Sequence, residues 1–182
     1  MIDARHFEIT DTLKDGTPIT IRAIRPNDKE LINEAFKNLE PETIYKRFFR
    51  YKSELTEGEL NRINEFDFET NVALLVTVTE KKREIMIGGA QYYVLENTPD
   101  APTQAEVAFT VEEDYQGQGM GSRLLKQLIR IAREKGVDQF VAKVLPQNKA
   151  MLAVFAHSCL PVKQKYEDGF ISVTISLTET SI

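Results

Sequence analysis

The chain has 182 residues, 42% hydrophobic and 28% charged, which is the mix of an ordinary folded domain and excludes a largely disordered or fibrous chain. One cysteine and two histidines rule out an internal disulfide and leave little for a metal centre, so no metal is expected. The net charge of -5 argues against sequence-independent binding to a polyanion by the whole molecule, yet it hides two opposed regions. Met120 to Lys149 carries seven basic against two acidic side chains, and Ser53 to Thr70 carries six acidic against one basic.

Phe7–Thr12 and Pro18–Arg25 alternate around Lys14-Asp15-Gly16 and predict an opening hairpin. Asn27 with Glu30 has capping spacing ahead of Leu31, Ile32, Ala35, Phe36 and Leu39, which predicts a first helix. Pro41 opens a second amphipathic segment through Phe49, with Ile44, Phe48 and Tyr51 as its buried face, and Thr56 with Glu59 repeats the capping spacing before Leu60, Ile63 and Phe66. From Asn71 the composition turns to branched and aromatic residues. Val72–Thr79, Glu84–Leu95 and Gln104–Val111 predict three consecutive antiparallel strands. Leu124, Leu125, Leu128, Ile129 and Ala132 follow helical spacing until Gly136. A strand (Gln139–Leu145), a helix (Asn148–His157) and two strands (Val162–Tyr166, Phe170–Leu177) about Asp168-Gly169 complete a mixed α+β domain.

The longest apolar run, Ala150–Ala156, is seven residues, short of the roughly 20 a helical span needs. The first six residues lack the basic start and apolar stretch of an export signal. No membrane association and a cytoplasmic location are expected.

The sharpest feature is Gln116-Gly117-Gln118-Gly119-Met120-Gly121-Ser122 between a strand and an amphipathic helix. Glycines permit positive φ, so successive N–H groups can turn inward beside the helix N-terminus and hold a phosphate or pyrophosphate. The Lys-Ser/Thr ending of a nucleotide P-loop and the glycine spacing of a dinucleotide fold are both missing.

Glu106-Val107-Ala108-Phe109-Thr110-Val111 followed by Asp114 to Gly121 resembles the acetyl-coenzyme A motif of the GNAT superfamily of N-acetyltransferases. That motif reads Gln or Arg, two residues, Gly, one residue, Gly or Ala, and Gln116, Gly119 and Gly121 fill it. Ile24-Arg25-Pro26 and Tyr45-Lys46-Arg47-Phe48-Phe49 look like the catalytic domain of bacterial protein lysine acetyltransferases. The resemblance implies a GNAT-like mixed, mostly antiparallel central sheet with helices on both faces, filling residues 1–182 as one domain, with 1–17 as an N-terminal extension or first hairpin strand.

It implies acetyl-coenzyme A as co-substrate. Phe109, Thr110 and Val111 would meet the pantetheine arm, the amides of Gln116, Gly117, Gln118, Gly119, Met120, Gly121 and Ser122 would meet the pyrophosphate, and Asn148 would contact the cofactor. Glu106, in an otherwise apolar strand, is the candidate general base. The acceptor would be an amine, a lysine-bearing protein first and a small amine or polyamine second, met by the acidic stretch Ser53–Thr70. The tyrosine that many members place seven residues after the asparagine is Phe155 here, which leaves a non-catalytic acetyl-coenzyme A sensor as an alternative. Tyr115 and Tyr166 are candidate substitute proton donors, and Cys159 is expected to be a small buried hydrophobe. A remoter alternative reads residues 45–52, four cations among four aromatics, as a module for single-stranded nucleic acid. The overall acidity argues against a nucleic-acid partner.

Overall fold

The computed structural model describes residues 1–178. Eight strands form one sheet in the order β1-β2-β3-β4-β5-β6-β8-β7. They are β1 (Glu8–Thr12), β2 (Pro18–Ala23), β3 (Asn71–Glu80), β4 (Arg83–Val94), β5 (Gln104–Val111), β6 (Gln139–Val144), β7 (Val162–Glu167) and β8 (Phe170–Ser176). Helices α1 (Lys29–Lys37), α2 (Pro41–Phe48) and α3 (Glu57–Asn61) come between β2 and β3, α4 (Met120–Glu134) between β5 and β6, and α5 (Lys149–Ala156) between β6 and β7. Alternation along β5 separates the faces. Phe109 meets Phe155 of α5 edge to face at 5.8 Å, while Thr110 shares a cavity wall with Phe36 of α1 and Leu39.

Every neighbouring pair of strands is antiparallel except β5 and β6. Those two run parallel and pair over three positions only, Gln104–Glu106 with Gln139–Val141. Beyond them β6 stays paired to β8 as far as Val144, and β5 stays paired to β4 as far as Val111 opposite Gly88. The sheet therefore splits into a V whose apex lies at Glu106. One edge of β5 from Val107 to Val111 faces the gap.

The core lies between the sheet and α4, whose Leu124, Leu128 and Ile131 are at most 1% exposed. Burying a side chain of this size contributes about 2 kcal/mol, so the predicted helical spacing and the packing agree. The Thr56–Glu59 capping box forms, with the Glu59 N–H donating to Thr56 Oγ1 at 3.1 Å. The Asn27 cap does not form. Asp28 is the residue that folds back, accepting from the Arg25 N–H at 2.7 Å, because its carboxylate also receives the buried Arg22 guanidinium. The second helix also stops earlier than its pattern suggests. Phe49 takes a left-handed conformation (φ 58), which leaves Tyr51 70% exposed instead of buried beside Ile44.

Candidate active site

β5 and α4 are joined by the glycine segment, and its amides are the main feature of the site. Gly117 and Gly119 take positive φ of 75 and 83, conformations that cost a side-chain-bearing residue about 1 kcal/mol or more. From Gly117 through Ser122 no backbone N–H has an acceptor among the described residues, whereas the Gln116 N–H donates to Glu113 O at 3.2 Å. The open amides therefore begin one residue later than the expected cradle. Gly121 is needed for packing. A Cβ there would stand 3.1 Å from Val154 Cγ2, so its absence lets α5 close on the first turn of α4.

These amides border a cavity of about 360 Å³ running back along β5 between α4 and α5. Phe109, Thr110, Val111, Gln116, Gly117, Gly119, Met120, Gly121, Ser122 and Asn148 all line it. Gln118 does not. Its Oε1 accepts from the Asp15 N–H at 3.1 Å and its carbonyl from the Lys14 N–H at 3.1 Å. The Gln116 side chain is a tether, donating to Val111 O at 3.0 Å and Thr43 Oγ1 at 3.2 Å. Met120 is 1% exposed and contributes its backbone. Asn148 caps α5, accepting from the Met151 N–H at 3.3 Å.

A smaller cavity of about 80 Å³ sits at the apex of the V, with Glu106 in its wall. Lys46, Arg47, Phe109, Asn148 and Met151 line both cavities, so the two are contiguous. Glu106 is half-buried and lies in register with Tyr93 of β4. Burial, then Glu106 beside it, raises the Tyr93 phenol. Burial lowers the Arg47 guanidinium and the charge of Glu106 works against that. The surroundings of Glu106 are thus more polar than an apolar strand suggests.

Phe155, 1% exposed, presents an apolar edge to this cavity. Tyr115 lines the larger cavity toward the glycine end, where burial and then nearby carboxylates, Asp15 among them, raise its phenol. Tyr166 is 68% exposed and lines neither cavity. Cys159 is exposed in a left-handed turn (φ 62), not buried as expected.

Part of the acidic stretch is answered within the fold. Glu59 pairs with Lys52, Glu69 with Lys135 at 2.6 Å, and Asp67 closes the turn into β3. Much of the basic stretch is also engaged, Arg123 with the Gly119 carbonyl at 3.0 Å and Asp11 at 3.6 Å, and Arg133 with Leu177 O at 2.8 Å. The aromatics of residues 45–52 stack on protein. Tyr45 lies 4.9 Å from Tyr51 and Phe48 6.0 Å from Phe36.

Sequence reasoning missed Lys14, Thr43, Lys46 and Arg47 as site residues. Lys14 lines the larger cavity, and its Cε comes within 3.3 Å of where a Cβ on Gly119 would sit. Only the pairing of Lys46-Arg47 with bulky aromatics gave a signal. Among the described residues no helix is long and apolar enough to cross a membrane, and no group of three metal-ligating side chains is found.

Residues 34–159 match the family model described as acetyltransferase (GNAT) family. Acetyltransferase PA5475 of Pseudomonas aeruginosa is 28% identical over 141 residues, covering 78% of this chain and 74% of its own. Acetyltransferase Pat of Mycolicibacterium smegmatis is 34% identical over 139 residues, covering 76% of this chain, which spans 40% of that longer relative. Among solved structures, the GNAT domain of S. lividans PAT superposes with a TM-score of 0.83 at 30% identity, covering 93% of this chain and 96% of that one.

Proposed function

Because the chain belongs to the GNAT family of acetyltransferases, we propose that it moves the acetyl group of acetyl-coenzyme A directly to a primary amine, a protein lysine side chain, with Glu106 as general base. Acetyltransferase activity and acetyl-coenzyme A as co-substrate belong to the family. The lysine acceptor and the role of Glu106 are our reading. One observation carries it: the unpaired edge of β5 runs from the open amides of Gly117–Ser122 to Glu106, through two cavities that share Phe109 and Asn148.

The cavity fits the co-substrate on two counts. Six consecutive unpartnered N–H groups at a helix N-terminus suit a pyrophosphate, and the free strand edge suits an amide-bearing arm added like a strand. Bound acetyl-coenzyme A supplies an acetyl thioester, and transfer forms a C–N bond as the C–S bond breaks. A lysine amine has a pKa near ~10.4, so roughly one in a thousand is neutral at physiological pH. Glu106 takes the proton that the amine must lose. The N–H of Val111, on the free edge of β5, is our candidate for meeting the developing oxyanion. No tyrosine stands at Phe155 to protonate the departing thiolate, which is a competent leaving group without it. That same apolar position is the one observation favouring a second reading, a sensor that binds the thioester without transferring it.

Incubation with labelled acetyl-coenzyme A and a panel of lysine peptides, basic proteins and small amines, alongside Glu106→Gln, tests both. Cofactor binding with no transfer to any acceptor would establish the sensor. Undiminished transfer by Glu106→Gln would remove Glu106 as base.

A further inference from the structure

The carboxylate of Glu106 stands among cations. The small cavity it lines is also walled by Lys46, Arg47 and Lys143, with no second acid, and Arg62, in the turn after α3, adds a charge that acts on both Arg47 and Tyr93. Lys46 is answered by Glu42 one turn earlier at 3.0 Å. Arg47, Arg62 and Lys143 have neither a carboxylate within ion-pair distance nor a hydrogen-bond acceptor among the described residues. The Arg47 guanidinium lies over the face of Phe48, 4.9 Å from the ring centroid.

An arginine held half-buried in a cleft without an acceptor has its donors unanswered, and its planar fork matches a carboxylate in bidentate geometry. An amine arriving as a bare ammonium would meet two unanswered cations, Arg47 and Lys143, against the one carboxylate of Glu106. Bringing its own carboxylate removes that repulsion and supplies the missing acceptor. We infer that the acceptor carries a carboxylate beside its reactive amine, and that Arg47, backed by Lys143 on the same cavity wall, binds it. The inference rests on the acetyl-transfer reading and narrows its substrate class. The carboxylate belongs either to an aspartate or glutamate next to the lysine of a protein or to a free amino acid.

The test measures kcat and KM for peptides with one lysine flanked by glutamate, glutamine or arginine, together with free lysine and lysinamide. Glutamate flanks are expected to raise kcat/KM over glutamine flanks by about 5- to 50-fold, mostly through KM, with arginine flanks worst and the preference shrinking in salt. In Arg47→Gln the preference falls to within about twofold, and Arg47→Lys restores part of it. Lys143→Gln, at an exposed position on the cavity wall, carries the test independently should Arg47→Gln fail to fold. A preference confined to free lysine over lysinamide assigns the carboxylate to an amino acid.

Transfer that ignores flanking charge, or a preference unchanged in both Arg47→Gln and Lys143→Gln, overturns the inference alone. Acetyl-coenzyme A binding with no transfer to any of these amines overturns the transferase reading, and the inference with it.

Discussion

The backbone N–H of Lys14 donates to the carbonyl of Gln118 at 3.1 Å, so the β1–β2 turn is seated on the glycine segment that opens α4. Asp15 adds a second tie through its N–H to Gln118 Oε1. The hairpin is therefore part of the wall of the larger cavity and delivers an exposed lysine to it.

A lysine here would strengthen phosphate binding by Coulomb attraction of about 0.5–1.5 kcal/mol at moderate salt. Lys14→Ala should weaken acetyl-coenzyme A binding about three- to tenfold by calorimetry and flatten its salt dependence. Binding of pantetheine, which has no phosphate, should not change. An equal loss for pantetheine would mean that the lysine only supports the loop.

Gly119 makes a sharper test of the cradle. At φ 83 an added Cβ would stand 2.2 Å from Arg123 Nη1, the guanidinium that holds the Gly119 carbonyl. Gly119→Ala should cost roughly 1–2 kcal/mol of stability and at least tenfold in cofactor affinity. Gly136, also at positive φ but with open space around it, provides the comparison. Gly136→Ala should show similar backbone strain in thermal unfolding and leave cofactor affinity intact.

These two positions show what was legible in the sequence. The glycine segment could be read because its chemistry is local: backbone freedom, a helix start and a strand before it lie within a few residues. The place of Glu106 at the cleft, in the wall of the smaller cavity, could be read from that motif too, while its role is our proposal. The V between β5 and β6 could not, since nothing in either strand records that they pair for three residues and then part. Lys14 looked like a turn residue because its target lies 104 positions away. The acidic stretch counts for less than its formal charge in the same way, since Glu59 and Glu69 are answered by Lys52 and Lys135 from outside it. Charge counts along a chain omit the partners that folding brings.

For Glu106 the expectation concerns the rate. Glu106→Gln keeps the size and hydrogen-bonding capacity of the side chain but accepts no proton, so kcat should fall about 10²- to 10³-fold. The acetyl-coenzyme A dissociation constant should stay within about twofold, because the residue lies at the apex of the V away from the open amides. What rate remains should climb with pH as more amine arrives neutral. A matching fall in cofactor affinity would point to a structural role instead.

Arg22 and Asp28 hold the start of α1 against the sheet. Arg22 Nη1 and Nη2 each donate to Asp28 at 2.8 Å, both residues are at most 5% exposed, and Arg22 Nε donates to Glu84 at 3.0 Å. The paired Asp28 carboxylate raises the guanidinium above its ordinary value, against burial. Removing Asp28 leaves the buried guanidinium with the part-exposed Glu84 as its one charged partner, which costs up to about 3–5 kcal/mol. Asp28→Ala should lose that much in denaturant unfolding, and Arg22→Met with Asp28→Leu should lose less than Asp28→Ala alone. Additive losses in the double variant would contradict a coupled pair.

Asp67 sets an acid limit on the fold. Its Oδ1 accepts from the N–H groups of Glu69, Thr70 and Asn71 at 2.8–2.9 Å, and its Oδ2 from Thr70 Oγ1 at 2.7 Å. Burial works to raise this carboxyl, but the hydrogen bonds, led by the Asn71 N–H, outweigh it and hold the group at about 2. A folded value below the unfolded one, near ~3.9, means that the ionised group stabilises the fold above the unfolded value. That contribution is lost as pH falls through the folded one. Discounted for its exposure, it comes to about 1–2 kcal/mol at neutral pH. Asp67→Asn should therefore be less stable by that amount at pH 7. Its deficit in denaturant midpoint should shrink to less than half by pH ~2.5, because the natural residue is by then losing its charge as well. A deficit equal at both pH values would show that the turn depends on the shape of the side chain and not on its ionisation.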